Sequence, residues 1–153
     1  MVQHRNPCFV IADGGHVRFV KPAGDNALHT VEAIEATTMH AKTHDLVSDR
    51  PGRVHESAGV LRHAIAPKHD PHELAKMRFA HFIGEKLNAE GAAGAFSELI
   101  LVAPAHVLAE MREKLDKPTE AKVTGTLMKD LTKVPDHELY PHLKEWVRPT
   151  HRA

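Results

Sequence analysis

The segment Glu98-Leu99-Ile100-Leu101-Val102-Ala103 constrains this chain more than any other. Five apolar residues in succession, stopped by Pro104, are too few for a helix and read as a strand buried on both faces. A strand of that kind sits inside a sheet with a covering layer on each side, so the chain is expected to be a three-layer α/β protein.

The rest of the sequence supplies the other elements. Cys8 to Ala12 is a short apolar run, Asp13-Gly14-Gly15 a turn, and His16 to Val20 an alternating run, which together read as a β-hairpin with positive φ at the Asp-Gly pair. Leu28 to Thr37 alternates imperfectly and reads as a third strand. Pro71 opens a helix with Asp70 as N-cap and Glu73 in its first turn; Ala75, Phe79, Phe82, Ile83 and Leu87 form its apolar stripe, and Gly91 and Gly94 end it. Pro104 starts a second helix carrying Val107, Leu108, Met111 and Leu115. Val123, Gly125 and Leu127 mark a fifth strand, and Asp136 to Trp146 a last helix that Pro141 must kink or split. Five strands are thus expected near 8–13, 16–21, 28–37, 98–103 and 121–129. The expected order is βββ–loop–α–β–α–β–α, a mixed five-stranded sheet within one domain spanning 1–153.

Between about 38 and 70 the periodicity fails. Structureless loops beyond about 12–15 residues are uncommon in compact domains and are usually functional or disordered. From Asp49 to His69 the loop holds Arg50, Arg53, Arg62 and Lys68 against Asp49 and Glu56, a net of +2, together with His55 and His63. Arginine forks match phosphate oxygens, so these six basic and histidine side chains are the expected RNA- or partner-binding residues.

Other chemistries find less support. Lys+Arg and Asp+Glu are both 20, a balance that argues against a partner bound by bulk electrostatics such as duplex DNA. The single cysteine, Cys8, excludes an intramolecular disulfide, and no apolar run is long enough to cross a membrane; with no signal-like start, a cytoplasmic protein is expected. The 14 histidines include the pairs His40/His44 and His69/His72, but neither has the further ligands that zinc requires, so no metal is expected. A two-metal nuclease would need Asp13, Glu73 and Asp130 to converge, each of which has a simpler role as turn, helix-start or strand-end residue. Ser48, Ser57 and Ser97 lie in no nucleophile elbow, and no phosphate-binding glycine motif occurs. No catalytic residue and no cofactor is expected.

Val10-Ile11-Ala12-Asp13-Gly14-Gly15, Asp49-Arg50-Pro51-Gly52-Arg53, Leu101-Val102-Ala103-Pro104 and Lys129-Asp130-Leu131-Thr132 with His137-Glu138-Leu139 resemble the bacterial host attachment proteins, a family required for attachment to host cells. The resemblance spans nearly the whole chain and marks Asp13, Gly14, Lys129, Asp130, Thr132, His137 and Glu138 as family-motif positions. That family is in turn similar to the central domain of archaeal and eukaryotic peptide-chain release factors and of the Pelota ribosome-rescue protein, an RNase H-like arrangement. What the resemblance implies is a non-catalytic, release-factor-like module that contacts RNA or the ribosome through the 48–68 loop. In release factors that interval carries a Gly-Gly-Gln tip, whereas Gln3 is the one glutamine here, so hydrolysis of peptidyl-tRNA by that route is not expected. The alternatives are a protein–protein factor in attachment to host cells and, last, a hydrolase or nuclease.

Overall fold

The computed structural model describes residues 5–23, 25, 27–37 and 71–147. Strands β1 (Pro7–Ala12), β2 (His16–Pro22) and β3 (Leu28–Glu35) form a meander, followed by α1 (Pro71–Ala92), β4 (Glu98–Val102), α2 (Ala105–Glu113), α3 (Lys117–Glu120) and β5 (Val123–Leu127). A 3₁₀ turn (Asp136–Glu138) and α4 (Tyr140–Leu143) come last. The sheet runs β3-β2-β1-β4-β5. Short turns make β1–β2 and β2–β3 antiparallel, whereas β1–β4 and β4–β5 are parallel because helical crossovers join them. Pro7 pairs with Glu98 and Ile11 with Val102 across the central ladder.

Period-two alternation sends the central strands into two separate cores. Cys8, Val10, Ala12, Leu99, Leu101 and Ala103 pack under α1 and α2 with Phe79, Ile83, Leu87 and Met111. Phe9, Ile11, Ile100 and Val102 face the other way, against Leu131, Leu139, Leu143 and Val147. Every residue of β1 is buried, and so are the four apolar residues of β4. Burial pushes the Cys8 thiol up to about 12, so it behaves as a small hydrophobe. Among the described residues no helix is long and apolar enough to cross a membrane.

The five strands and the positions of α1 and α2 match the sequence expectations, with four local corrections. The turn at 13–15 does not use positive φ; it is held by the Asp13 side chain, and the positive-φ glycine among the described residues is Gly94, at +81°. Gly91 lies inside α1, buried against Phe96, so only Gly94 ends the helix. The one-turn helix α3 was not expected; Asp116 caps it by accepting from Thr119 N at 2.9 Å. Pro141 splits the last helix as expected, but what remains is a 3₁₀ turn and a single turn of α-helix, so the third layer is thin.

The two long helices run side by side in the same direction, with Met77 beside Val107 and Asn88 reaching Lys114 O at 2.8 Å. They approach closely at Gly84, where an added Cβ would stand 2.7 Å from Met111 O and 2.8 Å from Lys114 Cβ. Backbone cannot retreat from that contact without separating the helices. Gly84→Ala should therefore destabilise by about 1–2 kcal/mol, although alanine favours a helix by about 1 kcal/mol. Urea unfolding checks this, and a variant as stable as the parent would show that the helices part at no cost.

Candidate functional site

The three parallel strands end at one edge of the sheet, the place where open α/β sheets hold their ligands. Asp13 follows β1, Ala103-Pro104 follows β4, and Met128 to Asp130 follows β5. The edge therefore collects most of the motif positions picked out in the sequence.

Asp13 is committed to structure. Its Oδ1 accepts from Gly15 N at 2.8 Å, His16 N at 2.7 Å and His16 Nδ1 at 3.1 Å. Burial pushes the carboxyl up, but the Gly15 and His16 donors outweigh it and hold it below the usual aspartate value. Its Oδ2 meets Thr132 Oγ1 at 3.2 Å, and the same hydroxyl lies 2.5 Å from Asp130 Oδ1. One hydroxyl proton serves one acceptor well, so the Asp130 contact is the hydrogen bond and the Asp13 contact the weaker partner. Asp130 also accepts from Thr132 N at 3.0 Å, closing the turn that sends Leu131 into the core.

Arg18 holds this turn from below. Its guanidinium donates to Leu131 O at 2.8 Å, to Val134 O, and to Asp136 Oδ1 at 3.1 Å, with 14% of its side chain exposed. Asp136 in turn accepts from Thr30 N at 2.8 Å and Thr30 Oγ1 at 2.6 Å. Burial lowers Arg18 from its ordinary value, with Asp136 opposing that; Asp136 is pushed up by burial, but Thr30 and Arg18 outweigh it and leave it below the usual range. Arg18 occupies a polar position in an alternating strand, which reads as a side chain in solvent. Its partners lie 113 to 118 positions away, so nothing in the local sequence pointed to them.

On the other side of the Asp13 turn lies an open groove lined by Gly14, Gly15, His16, His72, Lys76, Pro104 and His106. The aliphatic stem of Lys76 crosses Gly14 so closely that a Cβ there would stand 2.7 Å from Lys76 Cγ. Lys76 Nζ is 3.8 Å from Glu73 Oε2. Pro104 gives α2 no side-chain cap, so the first-turn N–H groups of α2 stand at the groove without an intrahelical acceptor. Ala36 N donates to Gly15 O at 2.8 Å, so β3 ends beside this turn, and α1 begins one residue before His72. The chain thus leaves for and returns from residues 38–70 at the groove.

The expected binding residues Arg50, Arg53, His55, Arg62, His63 and Lys68 lie outside the described residues, as do His40, His44, His69 and Asp70. Of the motif positions, Asp13, Gly14, Asp130 and Thr132 come together. Lys129 lies beside them in sequence, with its N–H on Leu127 O at 3.0 Å. His137 and Glu138 do not join them: they pair with each other at 3.4 Å in solvent. The work of that stretch falls instead to Asp136 and the buried Leu139. Glu73 lines a groove between α1 and α2 with Met77 and His106, whereas Asp13 and Asp130 meet at Thr132.

The Arg18–Asp136–Thr30 junction predicts an acid-sensitive stability. Asp136 holds its proton less tightly when folded, so its stabilisation is complete above the unfolded value near 4 and disappears as pH falls through the lower folded value. Asp136→Asn should cost about 1–2 kcal/mol at pH 7, and the gap between variant and parent should close as pH falls below about 4. Denaturant unfolding in steps from pH 7 to 3 measures it; a gap that stays constant would contradict the ionic reading.

A family model described as "Protein required for attachment to host cells" matches residues 8–143. Comparison with curated proteins gives no match. The matched span runs from β1 to α4 and includes the Asp13–Thr132 contact, the Arg18–Asp136 junction and every buried residue of the two cores except Val147. The chain belongs to the family of proteins required for attachment to host cells.

Proposed function

We propose that the chain acts in attachment as a non-catalytic binding module that contacts RNA or the ribosome through phosphates. The observation that carries this reading is the set of hydrogen-bond donors that lines the edge groove. His16, His72, Lys76 and His106 share it with Asp13, whose carboxylate is turned to the Gly15 and His16 N–H groups, and with the uncapped first turn of α2, where positive partial charge favours phosphate. Arg50, Arg53, Arg62 and Lys68 belong to the segment that joins the chain on either side of that groove. On this reading the β3-β2-β1-β4-β5 sheet is a release-factor central-domain-like arrangement used without its hydrolytic tip. Attachment then follows indirectly, through what the bound RNA or ribosome produces.

An enzyme has less to rest on, because Asp13, Asp130 and Thr132 are tied to one another and to the turn backbone. A protein partner has as its best support the exposed side chains Val31, Met128 and Tyr140, and single exposed apolar residues are ordinary on a protein surface.

The test is binding to a single-stranded RNA and co-sedimentation with ribosomes at 50 and 200 mM salt. With about three phosphates neutralised, affinity should fall roughly 10–20-fold over that range, and Arg50→Ala with Arg53→Ala should weaken binding for all sequences alike and flatten the salt slope. Salt-independent binding, or a double variant that binds as the parent does, would remove RNA phosphate as the ligand.

A further inference from the structure

Away from the edge groove, the parallel packing of α1 on α2 brings three potential metal ligands to one point. The helices approach closely at Gly84, and about one turn earlier His81 reaches from α1 to α2. Its Nε2 lies 2.7 Å from Glu110 Oε1 and 3.6 Å from Glu113 Oε1. The three ligand atoms lie within 4.8 Å of one another. Glu110 and Glu113 are one turn apart on the same face of α2, so both carboxylates face the same imidazole nitrogen.

Both carboxylates stand within ion-pair distance of the imidazole, but only one is hydrogen-bonded to it. An imidazole N–H serves one acceptor, and Glu110 takes it; 3.6 Å to Glu113 is beyond hydrogen-bond reach. The second carboxylate is then held beside the first at the cost of like-charge repulsion, which a divalent cation would relieve. Zinc held tetrahedrally by nitrogen and oxygen ligands at about 2.0–2.2 Å sets neighbouring ligand atoms about 3.3–3.6 Å apart; Glu113 already stands at that distance from the imidazole nitrogen, and Glu110 reaches it by moving out from 2.7 Å. Glu113 is 70% exposed at its side chain, so the remaining coordination positions open to water.

We propose that His81, Glu110 and Glu113 form a reversible divalent transition-metal site, of the zinc class, that clamps α1 to α2. One imidazole and two carboxylates suit zinc better than magnesium, which prefers an all-oxygen shell. Three ligands, two of them carboxylates at the surface, hold the ion weakly enough for dialysis against a chelator to remove it. The site shares no residue with the edge groove, and its proposal does not rest on RNA binding.

The test uses the full chain, with zinc chloride as the probe in calorimetry and thermal unfolding. The parent should bind one zinc at this site with micromolar affinity and melt several degrees higher for it, with magnesium in hundredfold excess failing to compete. His81→Ala and Glu113→Gln should each lose at least tenfold in affinity together with the rise in melting temperature, while His137→Ala, a solvent-exposed histidine elsewhere, should keep both. If His81→Ala fails to fold, Glu113→Gln decides alone, because its side chain lies in solvent. No rise in the parent, or an equal rise in Glu113→Gln, would overturn the site and leave a plain ion pair.

Discussion

Everything else in this structure answers to the central parallel pair, β1 and β4, being buried on both faces. Phe9, Val10, Ile11, Leu99, Ile100, Leu101 and Val102 have no exposed surface. Each leucine, isoleucine or phenylalanine so buried contributes about 1.5–3 kcal/mol relative to leaving it in water. That gain requires both sides to be covered at once, and the chain covers them differently. One side takes two helices packed closely at Gly84, and the other takes a 20-residue stretch with little regular structure, 128–147.

The irregular side needs holding, and the motif after β5 does it. Leu131 enters the core, Thr132 reaches Asp13 and Asp130, and Asp136 reaches Arg18 and Thr30. A stretch that resembles a signature of function is therefore first a clasp that fastens the thin layer to the sheet. It also shapes the edge, since the Asp13 turn held by this clasp presents Gly14, Gly15 and His16 to the groove on the helical side. The arrangement lets the same few side chains stabilise the fold and define a surface.

The elements that follow from hydrophobic period were legible in the sequence. β4 was readable from an unbroken apolar run, α1 from Phe79, Ile83 and Leu87 at helical spacing, and the split of the last helix from Pro141. What was not legible depends on pairs distant in the chain. Arg18 looks like a solvent residue until Leu131, Val134 and Asp136 fold over it. His81 shows no ligand spacing along the sequence because Glu110 and Glu113 belong to another helix. The Asp13 turn was misread in its mechanism: a carboxylate accepting two backbone N–H groups does what a positive-φ glycine does in other hairpins. His137 and Glu138 were singled out by motif and lie in solvent, while their neighbour Asp136 carries the contacts.

Family membership supplies the biological setting, attachment to host cells, and the geometry supplies a surface on which to look for the molecular contact. On the proposed reading the ligand meets the protein at the carboxyl edge of β1 and β4, not at the outer strands β3 or β5. Backbone amide chemical shifts followed by NMR while a short single-stranded RNA is titrated test it most directly. The account predicts shifts concentrated at Gly14, Gly15, His16, His72, Lys76 and His106. Shifts confined to β3 and β5, or none at saturating RNA, would contradict it.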